Sequence, residues 1–123
     1  DMAWTFVPDK PVFIQIGERI KRLIVTGEYP PGSQIPSVRQ LAVEATVNPN
    51  TIQHAFSVLE SEGLIISRGT IGKFVTTDIE LIKECHNKIA QKITETYLAD
   101  MGNLGISPEQ TINIIKYQRV AEL

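Results

Sequence analysis

Two helix start signals lie close together in the first half of the chain, and their spacing leaves few folds open. Ser37 is followed by Gln40, which makes a capping box, where each side chain bonds the other residue's backbone N–H. Asn48 is followed by Pro49, which suits the first helical position because its missing N–H would have no intrahelical partner. Apolar residues at helical spacing follow both signals. The pattern predicts two short helices joined by about three residues.

Elements of two kinds flank this helix pair. A periodic apolar stripe predicts an amphipathic helix over residues 11–26, ended by Gly27. The stripe consists of Ile16, Ile20, Leu23 and Ile24. After the pair, two β-prone runs at 64–67 and 73–76 flank a glycine-containing turn and predict a hairpin. These are the parts of a winged helix-turn-helix, which places one helix in the DNA major groove.

The third helix has two faces of different chemistry. Its apolar positions predict a buried face of Ile52, Ala55, Phe56 and Leu59. Its other face carries hydrogen-bonding groups without full charge, on Asn50, Gln53, His54 and Ser57. Asn and Gln amides both donate and accept, so each pairs with adenine in bidentate fashion. This face either reads DNA bases or is an ordinary polar surface, and its pattern alone leaves both open.

The last third of the chain predicts two more helices. One runs from residue 79 to about 101 and is broken by Gly102 and Gly105; the next begins at Ser107 with an apolar pattern that reaches Val120. Two helices do not enclose a metabolite pocket of ~300 Å³, so their apolar stripe favours burial against a second copy. Folding of this tail back on its own domain is the alternative. The predicted dimer residues are Ile82, Ile89, Ile93, Tyr97, Ile112 and Ile115.

The predicted fold is therefore mostly α with a small β-hairpin. We expect a winged helix-turn-helix DNA-binding domain over residues 1–77 and a two-helix dimerisation tail over residues 78–123. The net charge is −2, but basic and acidic residues number seven each up to residue 77 and five against seven beyond it. If nucleic acid is bound, the first two thirds of the chain bind it through a localised basic patch.

Other classes of protein are disfavoured by what the sequence lacks. Cys85 is the single cysteine, so no intrachain disulfide forms and a reduced, cytoplasmic setting is favoured. No run approaches about 18 apolar residues and no secretory pattern opens the chain, so no membrane association is expected. Cys85, His86 and His54 lack metal-ligand spacing, so no metal or cofactor is predicted. No phosphate loop or nucleophile motif is present, and we predict no enzymatic activity.

Three segments carry landmarks in a fixed order across residues 11–75. They read "PVFIQIGERIKRLIVTGEYPPGSQIPSVRQLA", "VNPNTIQHAFSVLESEGLI" and "RGTIGKFV". Together they resemble the N-terminal DNA-binding domain of GntR-family bacterial transcriptional regulators. The "NPNT" helix start, the "MAWTF" opening and the short two-helix tail resemble the YtrA subfamily in particular. That resemblance implies a dimeric repressor, often one that controls an operon for an ABC-type transporter.

The resemblance also implies DNA contacts at particular positions of this chain. Arg39 matches an arginine that contacts DNA, and Gly69 matches the tip of the wing. The contacts at the start of the third helix match Asn48, Asn50 and Thr51. A structural ion pair is the alternative role for Arg39.

Further contacts follow from backbone geometry and charge. The helix start at Ser37 offers backbone N–H groups to phosphate, as does the start at Asn48. Arg68 and Lys73 lie on either side of the wing turn, where basic side chains suit the minor groove or its phosphates. The complete set of predicted DNA contacts is Ser37, Arg39, Asn48, Asn50, Thr51, Gln53, His54, Arg68, Gly69 and Lys73.

Two positions depart from the pattern of the family. Gln53 stands where many members carry Arg, and His54 stands where the subfamily often has a basic residue. Without fixed positive charge at these two positions, the affinity for DNA and the preferred sequence stay open. The winged helix-turn-helix itself remains recognisable. For His54, a base or phosphate contact and a plain surface role both remain open.

These observations predict a sequence-specific transcriptional regulator. We expect a repressor that binds a near-palindromic double-stranded operator as a homodimer. Whether a small-molecule effector controls it is left open by the sequence. The alternative is a winged-helix module that binds protein instead of DNA. Such a module would have an apolar outer face on the third helix and no basic wing.

Overall fold

In the computed structural model, residues 3–118 are described, and they contain five helices and one two-stranded antiparallel sheet. The elements are α1 Val12–Val25, α2 Val38–Ala45, α3 Pro49–Ser61, β1 Ile65–Ser67, β2 Lys73–Val75, α4 Ile79–Asn103 and α5 Pro108–Lys116. The chain forms two compact units, which are divided between His86 and Asn87. The mostly helical fold with a small hairpin agrees with the sequence prediction.

The helix caps predicted from sequence are present. Ser37 Oγ accepts a hydrogen bond from the Gln40 N–H at 3.1 Å, and Gln40 Oε1 accepts one from the Ser37 N–H at 2.8 Å. Asn48 Oδ1 accepts from the Asn50 N–H at 2.8 Å. Thr46 ends α2 in the left-handed conformation, with φ of 56°. Residues 46–48 therefore form the tight turn, which confirms the predicted length.

A single apolar core holds the first unit together. The helices α1 and α2 and the strand β1 all pack on α3. All four residues of the predicted apolar face of α3 are buried, together with Ile16, Ile20 and Ile24 of α1. Leu23 of the predicted α1 stripe is half-buried. Gly17, at a position that the sequence did not single out, is buried as well.

The hairpin pairs with a third segment that the sequence did not predict. Within it, Ile65 pairs with Val75 and Ser67 pairs with Lys73. The residues 33–35 lie antiparallel to β2: the Val75 N–H donates to Ser33 O and the Ile35 N–H donates to Lys73 O, both at 2.9 Å. The loop before α2 is therefore bonded to β2, which lies between this loop and β1.

The ends of the two C-terminal helices differ slightly from the prediction. Gly102 lies inside the last turn of α4, so the predicted break at this residue was wrong. A glycine inside a helix destabilises it by about 1 kcal/mol relative to Ala, which is too little to end a helix of this length. Gly105, with φ of 78°, follows the end of the helix. The Ser107 capping box of α5 is present. Val120 lies outside the described residues.

Candidate nucleic-acid interface

The start of α3 exposes polar side chains, as the sequence predicted. Asn50, Gln53 and His54 are exposed on the face opposite the core, and Thr51 is half-buried. Because Asn48 uses its side-chain oxygen to cap α3, its NH₂ group remains to donate. Together these residues place amide, hydroxyl and imidazole groups around one helix N-terminus, which is also a favourable site for phosphate.

One face of the His54 ring is covered by a second aromatic ring. The rings of His54 and Phe13 are stacked, with centroids 3.7 Å apart and an interplanar angle of 9°. Phe13 lies in the first turn of α1, so the stack joins the start of α1 to the exposed face of α3. His54 therefore has a packing role that the sequence did not predict. Its ring edge still offers nitrogen atoms to a partner.

Arg39 is exposed in the first turn of α2, next to the capping box at Ser37. Within residues 3–118, no ion pair or hydrogen bond involves its guanidinium group. The alternative role for Arg39, a structural ion pair, thus has no acidic partner among these residues. Five N–H donors are available to a phosphate or to a guanine edge.

The wing turn is short and closed by backbone hydrogen bonds. The Ile71 N–H donates to Arg68 O at 3.0 Å, and the Arg68 N–H donates to Gly72 O at 2.9 Å. Gly69 has a φ of +55° with open space around it, so backbone conformation, not crowding, favours glycine at this tip. The Arg68 guanidinium lies 4.8 Å from the centroid of the Phe74 ring, which restrains it beside the turn.

Lys73 has a partner within the fold. Its ammonium group lies 2.8 Å from Glu60 Oε1 of α3 and 3.3 Å from Ser67 Oγ. This ion pair fastens the base of the wing to α3. It also partly neutralises the positive charge of Lys73, which the sequence analysis predicted to contact DNA. The contact of Lys73 with DNA stays a prediction, and we expect it to contribute less affinity than the contact of Arg68.

A cleft of about 580 Å³ separates the start of α2 from the wing. It is lined by residues 34–38, 40, 56 and 70–73. Its walls include Phe56 and the wing residues Thr70 and Ile71, while Ser37 and Gln40 lie at the helix-start side. The cleft thus lies between two groups of predicted DNA contacts.

The segment before α1 is fastened to the first unit by side chains that the sequence did not single out. Gln15 Nε2 donates to Val7 O at 2.9 Å, and Gln15 Oε1 accepts from the Val7 N–H at the same distance. Arg19 lies 4.2 Å from the centroid of the Trp4 ring. The Trp4 indole N–H donates to Glu44 of α2 at 3.3 Å. The segment before α1 therefore holds the guanidinium of Arg19, through the Trp4 ring and the Ala3 carbonyl oxygen.

The predicted dimer residues are divided between the two units. Ile82 packs against the core of the first unit, so part of its surface is already covered within the chain. In the second unit Ile89 is half-buried. The exposed fractions of the others are 50% for Ile93, 40% for Tyr97, 61% for Ile112 and 57% for Ile115.

Metal-ligand clusters and membrane-spanning helices are both absent from residues 3–118. No group of three or more His, Cys, Asp or Glu side chains stands close enough there to hold a metal ion. None of the helices in that part of the chain combines the length and apolar character needed to cross a membrane.

Comparison with known sequences places the chain among bacterial regulators. Residues 14–75 match the family described as "Bacterial regulatory proteins, gntR family". The HTH-type transcriptional regulator YhcF of Bacillus subtilis is 34% identical over 111 residues, which cover 90% of this chain and 92% of that protein. The HTH-type transcriptional repressor YtrA of Bacillus subtilis is 38% identical over 66 residues, which cover 54% of this chain and 51% of that protein.

Solved structures with the same fold include a GntR family transcriptional regulator from Listeria monocytogenes. It has a TM-score of 0.85 and 38% identity, and the match covers 93% of this chain and all of that chain. The DNA-binding domain of AraR in complex with its operator ORX1 has a TM-score of 0.56 and 30% identity, covering 58% of this chain and 93% of that chain. The chain is therefore a DNA-binding transcriptional regulator that belongs to the gntR family of bacterial regulatory proteins and is YtrA-like in sequence.

Proposed function

We propose that this regulator is a homodimeric repressor that binds a near-palindromic operator through α3 and the wing. The observation that carries the proposal is the exposed polar start of α3 in a fold that also exposes Arg39, whose guanidinium has no partner within residues 3–118, and the tip of the wing. Asn50 and Gln53 read base edges in the major groove, where an amide distinguishes adenine from the other bases.

The remaining predicted contacts position the protein on the DNA backbone. The helix starts at Ser37 and Asn48 offer N–H groups to phosphate, and Arg39 adds a charged contact beside the first of them. Gly69 and Arg68 approach the neighbouring minor groove. The sugar–phosphate strand that separates the two grooves passes along the cleft between α2 and the wing. This arrangement accounts for a recognition surface without a strongly basic overall charge.

Dimerisation is proposed through the exposed apolar residues of the second unit. Ile93, Ile112 and Ile115 are each at least half exposed, which is a poor arrangement for a monomer in water. A second copy would cover these side chains, and an isologous contact of this kind has two-fold symmetry. Two recognition helices related in this way bind half-sites one DNA turn, ~34 Å, or a multiple of it, apart.

Repression and a cytoplasmic location are the remaining parts of the proposal. The matched YtrA is described as a repressor, and the matched AraR domain was solved on an operator. A protein that binds chromosomal DNA in a bacterium works in the cytoplasm.

Binding of protein in place of DNA is less well supported. That alternative requires an apolar outer face on α3, whereas Asn50, Gln53, His54 and Ser57 occupy it. It also requires a wing without basic side chains, whereas Arg68 lies beside the wing turn.

Fluorescence anisotropy with the DNA immediately upstream of the gene tests the proposal. The same duplex with its sequence scrambled serves as the control, and both are titrated at two salt concentrations. We expect the native duplex to bind at least about 100-fold more tightly, and binding to weaken steeply with salt. Equal and weak binding to both duplexes, followed by no enrichment when the protein selects from a random duplex library, would contradict the proposal.

A further inference from the structure

The wing is bonded to the loop that precedes α2 as well as to α3. Besides the two backbone hydrogen bonds between residues 33–35 and β2, the Gly32 N–H donates to Val75 O at 3.0 Å. These bonds fix the base of the hairpin. They do not reach the turn at residues 69–71, which carries the proposed minor-groove contact.

One side chain extends from this loop to the turn itself. Gln34 Nε2 donates to the carbonyl oxygen of Ile71 at 2.8 Å. Within residues 3–118, no other side chain hydrogen-bonds a backbone group of residues 69–71. Gln34 is exposed, so this bond restrains the turn without belonging to the apolar core.

Gly72 provides the space that this bond needs. A Cβ atom at Gly72 would lie 2.6 Å from Gln34 Nε2, which is closer than such atoms approach each other. Gly72 also has a φ of +134°, a conformation that side-chain-bearing residues rarely adopt. A glycine at this position therefore lets the amide of Gln34 lie directly against the wing backbone.

We propose that Gln34 is a positioning residue for the wing, which it holds in the conformation that meets DNA. This inference rests on the proposed operator binding. A turn that is ordered before binding loses less conformational entropy when it binds, so preorganisation raises affinity. Loss of one neutral hydrogen bond corresponds to about a threefold to tenfold loss of affinity. The Gln34 side chain acts through Ile71 and not through a DNA contact of its own.

The test compares two duplexes with three proteins. The probe is a duplex that the wild-type protein selects from a random library; the second duplex lacks only the outer base pairs that the wing protects from hydroxyl radicals. Gln34→Met removes the amide with little change in length and no change in charge. Gln91→Ala, which removes an exposed glutamine from α4, is the matched control.

We expect Gln34→Met to weaken binding to the full duplex about threefold to tenfold and to match the wild type on the shortened duplex. The Gln91→Ala variant should match the wild type on both. Unchanged binding to the full duplex would overturn the inference. An equal loss on both duplexes would also overturn it, because Gln34 would then contact the DNA that both retain.

A measurement without DNA separates this inference from the proposed function. Backbone amide order parameters from NMR should fall at residues 69–71 in Gln34→Met and stay unchanged at residues 65–67. Unchanged order at the turn would show that Gln34 does not hold the wing. If the wild type selects no duplex, the proposed operator binding fails and the DNA part of this inference fails with it.

Discussion

At the scale of single residues, Arg39 and Lys73 carry the same charge in different surroundings. Lys73 has Glu60 Oε1 at 2.8 Å, so part of its charge is used inside the fold. Arg39 is exposed and has no acidic partner among residues 3–118. A basic side chain contributes to phosphate binding through the charge that remains unneutralised. Arg39 should therefore contribute more to DNA binding than Lys73, although both carry the same formal charge.

Replacement of this residue gives a direct prediction. Arg39→Ala should weaken operator binding more than about tenfold and lower the slope of log K against log salt by about one. Arg22→Ala, which removes an equal charge from the last turn of α1, is the control. Anisotropy titrations across a salt series measure both effects. If the two variants lose the same affinity, general electrostatics explains the result and Arg39 makes no specific contact.

Tyr29 gives a prediction about pH. Burial raises its pKa above the ordinary value of 10.0, and the charge of Glu44 raises it further while Arg19 acts in the opposite direction. The unfolded chain therefore loses the phenol proton at lower pH than the folded protein does. The linked stabilisation is complete below about pH 10 and is lost as the pH rises through the folded-state pKa.

Denaturant unfolding at about pH 8 and about pH 11 measures this linkage. The free energy of unfolding should fall more in the wild type than in Tyr29→Phe, because the variant has no phenol to ionise. An equal fall in both proteins would contradict the prediction.

At the scale of elements, two helices begin in the same way and allow a matched comparison. Ser37 caps α2 and Ser107 caps α5, and in each box the serine oxygen accepts a backbone N–H at 3.1 Å. Replacement of either serine by Ala should lower the free energy of unfolding by about 1 kcal/mol. Only Ser37→Ala should also weaken operator binding, since α2 starts at the proposed interface.

Denaturant unfolding and anisotropy on the two variants separate the effects. An equal loss of operator affinity in Ser37→Ala and Ser107→Ala would remove the start of α2 from the interface.

Local signals in the sequence were sufficient to predict the helices, the hairpin and the tight turn. Ser37, Asn48 and Ser107 each act within three residues of their own position, so a short stretch of sequence contains the whole cap. The contacts that were missed join residues that are far apart in the chain. The Gln34 bond to Ile71 and the pair of Lys73 with Glu60 depend on packing, and no local pattern predicts them.

At the scale of the whole molecule, the charge distribution limits non-specific DNA binding. The net charge is −2, with equal numbers of basic and acidic residues up to residue 77. A protein of this kind has no broad positive field that attracts any duplex. Its affinity must come from a few well-placed contacts, which favours discrimination between sequences over general attraction to DNA.

The proposed dimer gives the prediction that belongs to this scale. Ile112→Asp places a charge on the exposed apolar surface of the second unit and should yield monomers at concentrations where the wild type is dimeric. Ile71→Asp is the control, since Ile71 is 67% exposed on the wing and outside the proposed interface. Sedimentation measures the mass of each protein. Dimers of wild-type stability in Ile112→Asp would place the interface elsewhere.

Pairing between residues 33–35 and β2 also determines where the chain can change its length. An insertion within β2 would shift its register by one residue and turn Val75 from the core toward solvent. An insertion at residues 69–71 would leave every one of those backbone bonds in register. Descendants of this sequence can therefore lengthen or shorten the wing, and so alter its reach along DNA, without rebuilding the rest of the fold.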